Sequence, residues 1–325
     1  MSHNRPFPTS ATLTAIAIAY QNPDAALIHT RALPAIPVLS EKFTWQEFPL
    51  AQSFTVPELE VGRRGRVGRI EFKAEERDSS TKDYGQDSEI PYSDIREAAA
   101  ARAAKLTTYD PRAAATAQLT NLVKLGREVR CAQVVQNPAN YSADRKIVLA
   151  NANDKFSKYD TSDPFGVISE GFDKTLVYRP NHIIMGQPVW SKIRGHPRLI
   201  KAVKGGLTED GAITKAQFAE LFEIPVENLL IGQAQVNLAK RGHDPLLARV
   251  WGKSIQLLYL DRSKQASTDG VMTWGFTAEY GTPIAGSIED KDIGLEGGER
   301  VRVGEKVREV VCAKDVGYLI EEAVA

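Results

Sequence analysis

Cysteine is almost missing from this chain. Two occur in 325 residues, Cys131 and Cys312, too few for a disulfide framework and without a metal-ligand neighbour, so both are expected as buried free thiols. A surplus of either charge is also missing, since Lys plus Arg and Asp plus Glu number 41 each. A dedicated nucleic-acid binder is usually basic, so that class loses ground. Zero net charge gives weak protection against self-association, which suits a protein built to assemble. Long hydrophobic runs are lacking as well. The apolar stretch at residues 13–19 has no basic region and falls short of a membrane span, so neither secretion nor a span is expected. The sequon Asn140-Tyr141-Ser142 therefore carries no meaning.

Catalytic and cofactor signatures are equally scarce. The five histidines, His3, His29, His182, His196 and His243, are scattered singly; His196 before a proline and His243 in RGHDP read as turn or packing residues. Gly252-Lys253-Ser254 imitates the end of a phosphate-binding loop, but Leu247 stands where that motif needs glycine, and an apolar strand follows in place of a helix. Gly62, Gly65 and Gly68 are evenly spaced, unlike a dinucleotide fingerprint. No HExxH, nucleophile elbow or Cys-His pairing occurs. No catalytic residue, metal site or cofactor is expected. An enzyme whose site is assembled only in three dimensions stays open as a rival.

What is present is ordinary globular composition, 42% hydrophobic and 25% charged, and one long helix signal at residues 110–136. Asp110 can cap it, Pro111 suits its first position and Pro138 closes it. Ala115, Leu119, Leu122, Val129 and Ala132 make one apolar stripe, expected to face a sheet of the same domain, with Lys124, Arg127 and Arg130 off it. At ~1.5 Å per residue the helix would be about 40 Å long, a beam more than an ordinary packing element. Residues 1–42 are broken by Asn22-Pro23-Asp24, Pro34 and Pro37 and read as an extended arm rather than a packed unit.

Residues 43–50 (FTWQEFPL) and 69–73 (RIEFK) read as two strands joined by a connection too long for an ordinary hairpin. Its tip carries Arg63, Arg64, Arg66 and Arg69, and the returning arm carries Glu71, Glu75 and Glu76. The arginines can be read as phosphate binders or as partners of carboxylates on another subunit. The adjacent acids and the lack of interleaved aromatics weigh against nucleic acid. A polar, irregular approach at 84–92 leads to an Ala-rich helix at 95–105 with Ser93-Asp94 as its cap. After the long helix come a strand at 146–151, a helix from Pro164, a buried strand at 181–186, a short helix at 188–194 and a Thr214-capped helix at 215–222. Strand-rich stretches follow at 228–239, 246–260 and 272–280. A strand-like run, VRVGEKVREVVCA, and a short amphipathic piece at 316–323 end the chain.

The order of these pieces resembles the major capsid proteins of tailed bacteriophages, the Hong Kong 97-type fold. The residues that carry it are FTVPELEVGRRGRVGRIEFKAEERDSSTKDYGQDSEIPYSD, similar to the family's extended loop, and DPRAAATAQLTNLVKLGREVRCA, similar to the start of its spine helix. SDPFGVISEGFDKTLVYRPNHIIMGQPVWSKIRGHPRLIKAVK is similar to a helix, Pro-Asn turn, strand and Trp helix common in these proteins. The resemblance implies an α+β chain divided into an N-terminal arm (1–42), an extended β-hairpin loop with its return (43–92), a peripheral domain with the spine helix (93–179, helix 111–136), an axial domain (180–298) and a return to the peripheral domain (299–325). It implies hexamers and pentamers of this chain in an icosahedral virion shell around double-stranded DNA held without sequence specificity, assembled in the bacterial cytoplasm with a portal and, in many members, a decoration protein. Only residues 1–42 precede the hairpin, so a separate scaffolding protein is expected. Lys73 and Lys82 stand where some members form an isopeptide cross-link, but no asparagine motif accompanies them and no link is expected. An encapsulin compartment shares the fold and stays open as the second rival.

Overall fold

The computed structural model describes residues 22–47, 54–57, 59–61, 63, 65–71, 75–206, 210–240, 242–261 and 272–325. Arg64, Lys73 and the apolar run at 13–19 lie outside them. A short helix α1 (His29–Ala32) leads to β1 (Ala35–Val38), and β2 (Lys42–Glu47) pairs with β3 (Glu75–Ser80) across the long connection. Next come β4 (Lys82–Pro91), α2 (Tyr92–Ala103), the long α3 (Pro111–Val135), β5 (Lys146–Val148), α4 (Pro164–Asp173) and β6 (His182–Gly186). Helices α5 (Gln187–Ile193), α6 (Pro197–Lys204) and α7 (Lys215–Leu221) precede β7 (Leu229–Gly232), β8 (Gln235–Asn237), β9 (Leu247–Arg249) and β10 (Ile255–Leu258). The remaining strands are β11 (Gly275–Tyr280), β12 (Ile284–Asp290), β13 (Gly298–Val311) and β14 (Gly317–Glu321).

Two five-stranded sheets organise the chain. In the first, the order is β1-β11-β13-β12 with β4 also on β13; in the second it is β5-β14-β10-β6-β7. The second sheet shows the two-residue alternation of a strand buried on both faces. Ile183 and Met185 join one core with Phe172, Trp190 and Phe218 under helices α4, α5 and α7, while Ile184 joins another with Leu230, Trp251 and Leu258. Helix α3 spans both sheets. Its first half lays Ala115 and Leu119 on Ile90, Val301 and Val303 of the first sheet, and its last turns lay Cys131, Ala132 and Val135 on the second sheet's core.

The helix ends follow from its caps. Asp110 accepts a hydrogen bond from the Arg112 amide at 3.0 Å and Pro111 sits at the first position, as the sequence predicts. The stripe differs from the expected one. Leu122 is 58% exposed, whereas Arg127 and Glu128 are buried. Arg127 and Arg130 face the first sheet: Arg127 pairs with Glu279 and Glu305, and Arg130 reaches Glu305 and Glu309 at 3.0 Å each. Apolar spacing cannot see this, because the sheet presents carboxylates of β11 and β13 to the middle of the helix, and paired charges are buried there in place of leucine.

Several other expectations are corrected. Within the proposed arm, residues 22–38 are packed: Ala26, Ile28, Ala32, Leu33 and Ile36 are buried, and β1 lies parallel to β11. The prolines that suggested an unanchored segment only break it into short pieces that fit the sheet edge. The second hairpin strand is β3 at Glu75–Ser80; of the expected strand at 69–73, residues 69–71 form no strand and Ile70 is 57% exposed, while 72 and 73 lie outside the described residues. The polar β3 is defined by pairing with β2 rather than by burial. The irregular approach at 84–92 is the regular strand β4, whose polar residues pair with β13 over its whole length. Helix α2 starts at Tyr92 behind Pro91, without the Ser93-Asp94 side-chain cap. Residues 316–323 contain strand β14, and α6 and β12 were not foreseen. Strands β11 and β12, placed by the sequence within the 180–298 division, pair with β13 in the first sheet, while β14 and β5 belong to the second. The strands therefore cross those bounds.

Close packing at Trp251 depends on Gly232, where an added Cβ would run into the Trp251 ring. Trp251 is 1% exposed and has no room to yield. Gly232→Ala is expected to destabilise the subunit by about 2 kcal/mol, read as a lower urea midpoint; an unchanged midpoint would contradict this packing.

A candidate assembly surface

The connection between β2 and β3 is the most exposed part of the described chain. Every described residue from 54 to 71 is exposed. Phe54 (58%), Val56 (80%), Leu59 (75%), Val67 (76%) and Ile70 (57%) show most of their apolar surface to solvent, and Val61 is also exposed. Arg63, Arg66 and Arg69 sit among them, Glu71 follows on the same connection, and Glu75 and Glu76 lie on β3. Glu75 pairs with Arg77 on its own strand at 3.1 Å. The expected charged residues other than Arg64, which lies outside the described residues, are thus carried on one exposed element. The apolar ones escaped the sequence reading, although six large apolar side chains in a Gly- and Arg-rich connection were there to be counted. An exposed patch of this kind marks an interaction surface.

The base of the projection is fixed to the first sheet. Phe43 and Trp45 of β2 pack on a cluster of Ile36, Phe276, Ala278 and Val310, with the Phe43 and Phe276 rings 6.4 Å apart. From β3 the chain enters β4 after Thr81 alone. The sheet it joins is held to α3 by ion pairs and by the Arg130 guanidinium, 3.6 Å above the Tyr84 ring. Arg112 grips Glu299 with Nε and Nη2, and this bond holds the Glu299 carboxyl below its usual range.

A buried carboxylate ties three parts of the chain together. Glu128 is 0% exposed. It accepts hydrogen bonds from the Ile28 amide (2.9 Å), the His29 amide (2.8 Å) and the Trp251 indole, and His29 Nδ1 lies 2.8 Å away. The segment before β1, the middle of α3 and the loop before β10 therefore meet at one side chain. A glutamate within the helical pattern gave no sign of this, because its partners are up to 123 positions away.

One histidine pair resembles a nucleophile and its base but is wired otherwise. Ser162 Oγ lies 3.0 Å from His196 Nε2. His196 Nδ1 accepts from the Arg198 amide at 3.3 Å, capping α6, and the Ser162 hydroxyl donates to the Lys158 carbonyl. The imidazole proton is therefore on Nε2, facing Ser162, and that nitrogen cannot be the acceptor a nucleophilic serine needs. Burial, then the Arg198 guanidinium, lowers the His196 pKa to about 4. Because the folded pKa lies below the free value of ~6.5, the neutral ring's contribution is complete above pH 6.5 and is lost as pH falls towards 4. Wild type is expected to lose about 3 kcal/mol more than His196→Asn between pH 7 and pH 4; parallel urea-stability profiles would refute it. No group of three or more His, Cys, Asp or Glu side chains placed to hold a metal occurs among the described residues. Cys131 is buried and Cys312 partly so.

No protein-family model matches the chain. Whole-chain relatives do. The chain is 40% identical over 322 residues, 99% of each protein, to the major capsid protein of Pseudomonas phage JBD67. It is 29% identical to the major capsid protein of Burkholderia phage BcepMu, covering 95% of this chain and 94% of that one. Among solved structures, a phage-related protein of Bordetella bronchiseptica aligns with a TM-score of 0.67 at 21% identity, over 96% of each chain. The capsid of cyanophage P-SCSP1u aligns at 0.57 with 11% identity, over 93% of this chain and 89% of that one. These two share its fold. A chain with one long helix across two sheets, a projecting hairpin and whole-length identity to phage head proteins belongs to the phage major capsid protein family, with the Hong Kong 97-type α+β fold.

Proposed function

We propose that copies of this chain join as hexamers and pentamers into an icosahedral head enclosing packaged double-stranded DNA, and that the β2–β3 connection reaches onto a neighbouring subunit. The observation that carries this reading is the exposure of the connection's apolar and arginine side chains together. One subunit has no use for them, and ordering such a segment costs about 1–2 kcal/mol per residue unless contacts offset it. Arg63, Arg64, Arg66 and Arg69 meet acidic groups of the adjacent subunit, and Glu71, Glu75 and Glu76 meet basic ones. The first sheet with α2 and the first half of α3 forms the peripheral domain, and the second sheet with α4 to α7 is the centre of the axial one. A separate scaffolding protein and a portal complete assembly in the bacterial cytoplasm. DNA meets the inner wall without sequence specificity, in keeping with the chain's zero net charge.

Both curated relatives are phage head proteins, which favours a DNA-filled shell over an encapsulin and a structural role over an enzymatic one. Electron microscopy of the protein expressed with its neighbouring gene products tests this reading. Icosahedral shells holding DNA are expected. Shells filled with a protein cargo would make it an encapsulin, and small discrete particles with a turnover would make it an enzyme.

A further inference from the structure

One edge of the first sheet is bare. Strands β11 and β12 follow one another along the side of β13 opposite β4, at residues 307–311 and 298–304 of β13. Strand β1 covers the outer side of β11 as far as Tyr280, which pairs with Val38. Beyond Pro283 that edge continues as β12, which among the described residues pairs with β13 alone. Bare edges recruit other strands, and proteins guard them with charges or prolines. Elsewhere this sheet is so guarded: β1 contains Pro37, and β4 carries Lys82, Asp83, Asp87 and Glu89. Residues 284–288 of β12, Ile-Ala-Gly-Ser-Ile, have neither device and are all exposed. Ile284 and Ile288 are 53% and 60% exposed. With Gly286 they lie opposite Gly304, Arg300 and Arg302, on the face away from α3, since Val301 and Val303 between those positions pack with Ala115 and Leu119.

The stretch is symmetric about its middle. A two-fold contact brings one patch against a copy of itself, so the patch must complement itself. With Gly286 on the axis, two antiparallel β12 strands set Ile284 opposite Ile288 of the partner subunit, Ala285 opposite Ser287 of the partner subunit, and the two copies of Gly286 opposite each other. Glu289 and Asp290 then fall beside the partner subunit's Pro283 and the partner subunit's Thr282, so no two acids meet. Moving the axis to Ser287 would put Asp290 opposite isoleucine, and no other register makes both isoleucine pairs. A foreign strand has no reason to match this symmetry.

We propose that β12 pairs with β12 of a second copy, antiparallel about Gly286, and so joins the first sheets of two subunits into one sheet across a two-fold axis of the shell. The inference rests on the shell reading above and adds a contact separate from the β2–β3 connection. A five-residue ladder buries far less than the roughly 1,200 Å² of a stable free complex. Dissociated subunits therefore stay monomeric, and the strands pair only where the shell holds two edges together.

Cysteine linking inside shells tests the register. Gly286 has open space where a Cβ would stand, so Gly286→Cys fits, and its two copies would meet on the axis. Mild oxidation of these shells should give disulfide-linked chain dimers, at least tenfold more than from Ser287→Cys shells, whose cysteines would be offset along the ladder. Wild type, which keeps Cys131 and Cys312, sets the background. Shell yield gives a second measurement. Ile284→Lys/Ile288→Lys sets lysine opposite lysine and should lower the yield at least tenfold, while Ile284→Lys/Ile288→Glu sets lysine opposite glutamate and should keep at least half of it. Both side chains are exposed, so the melting temperature of the dissociated subunit should not change. Equal yields from the two double variants would overturn the pairing, as would shells in which Gly286→Cys links no better than Ser287→Cys. A wild-type chain that forms no shells would overturn the shell reading and this one with it.

Discussion

Replacing Glu128 with leucine should cost the subunit about 4 kcal/mol or more, the largest loss expected of any single substitution here. Leucine fits the space but accepts nothing. The Ile28 and His29 amides, His29 Nδ1 and the Trp251 indole would be left buried without an acceptor, at ~1–3 kcal/mol each. These groups belong to three separate segments, so the loss would spread: the stretch before β1 would lift from α3, and Trp251 would lose its orientation in the second core. Glu128→Gln keeps the volume and one acceptor oxygen but turns an amide N–H towards the donors, and an intermediate loss of about 2 kcal/mol is expected. Equilibrium urea unfolding of the dissociated subunit measures both. A Glu128→Leu protein within about 1 kcal/mol of wild type would mean that this carboxylate is not the junction its geometry describes.

Reversing four charges at once should abolish the shell and spare the subunit. In Arg63→Glu/Arg64→Glu/Arg66→Glu/Arg69→Glu, each position of the connection that met a carboxylate across the boundary would repel it. A single exposed pair contributes only ~0–1 kcal/mol. A shell repeats each contact in every subunit, however, so small terms multiply into the cost of closing it. The described arginines are exposed on the projection, and reversing them should leave the melting temperature of the isolated subunit unchanged. Sedimentation should find less than about a tenth of the wild-type yield of shells. Wild-type yields would refute an electrostatic role for the connection and leave Phe54, Val56, Leu59 and Val67 as its anchors.

The long helix was legible because its signals are local: an aspartate, a proline and a closing proline set its ends within one residue of the observed Pro111–Val135. What faces it was not legible. Arg127 and Arg130 read as solvent-side charges because a periodicity scores each residue by its own chemistry, while burial at these positions depends on Glu279, Glu305 and Glu309, at least 152 positions away. The same limit hid β3 and β4. Polar strands such as EERDSS and KDYGQDSEIP carry no alternation, and only their partners reveal them. Prolines at 34 and 37 misled in the other direction, since β1 tolerates Pro37 at the edge of the sheet, where an amide can be spared. At the candidate surface, the arginines stood out because four lie in seven residues. The exposed Phe54, Val56 and Leu59 did not, since an apolar residue is assigned to a core until a structure fails to supply one.

Because β3 is separated from β4 only by Thr81, the projecting connection is spliced directly onto the longest ladder of the first sheet. All ten residues of β4 are in register with β13. Tension on the connection from a neighbour would pull β4 along its own axis, a shearing geometry in which the cross-strand hydrogen bonds bear load side by side instead of parting one after another from an end. From β13 the load divides, through the paired arginines into α3 and through Val316 into β14 of the second sheet. A head under internal pressure strains its subunits in tension. Held by a neighbour in the way proposed, this chain would meet that strain with its ladder lying along the pull.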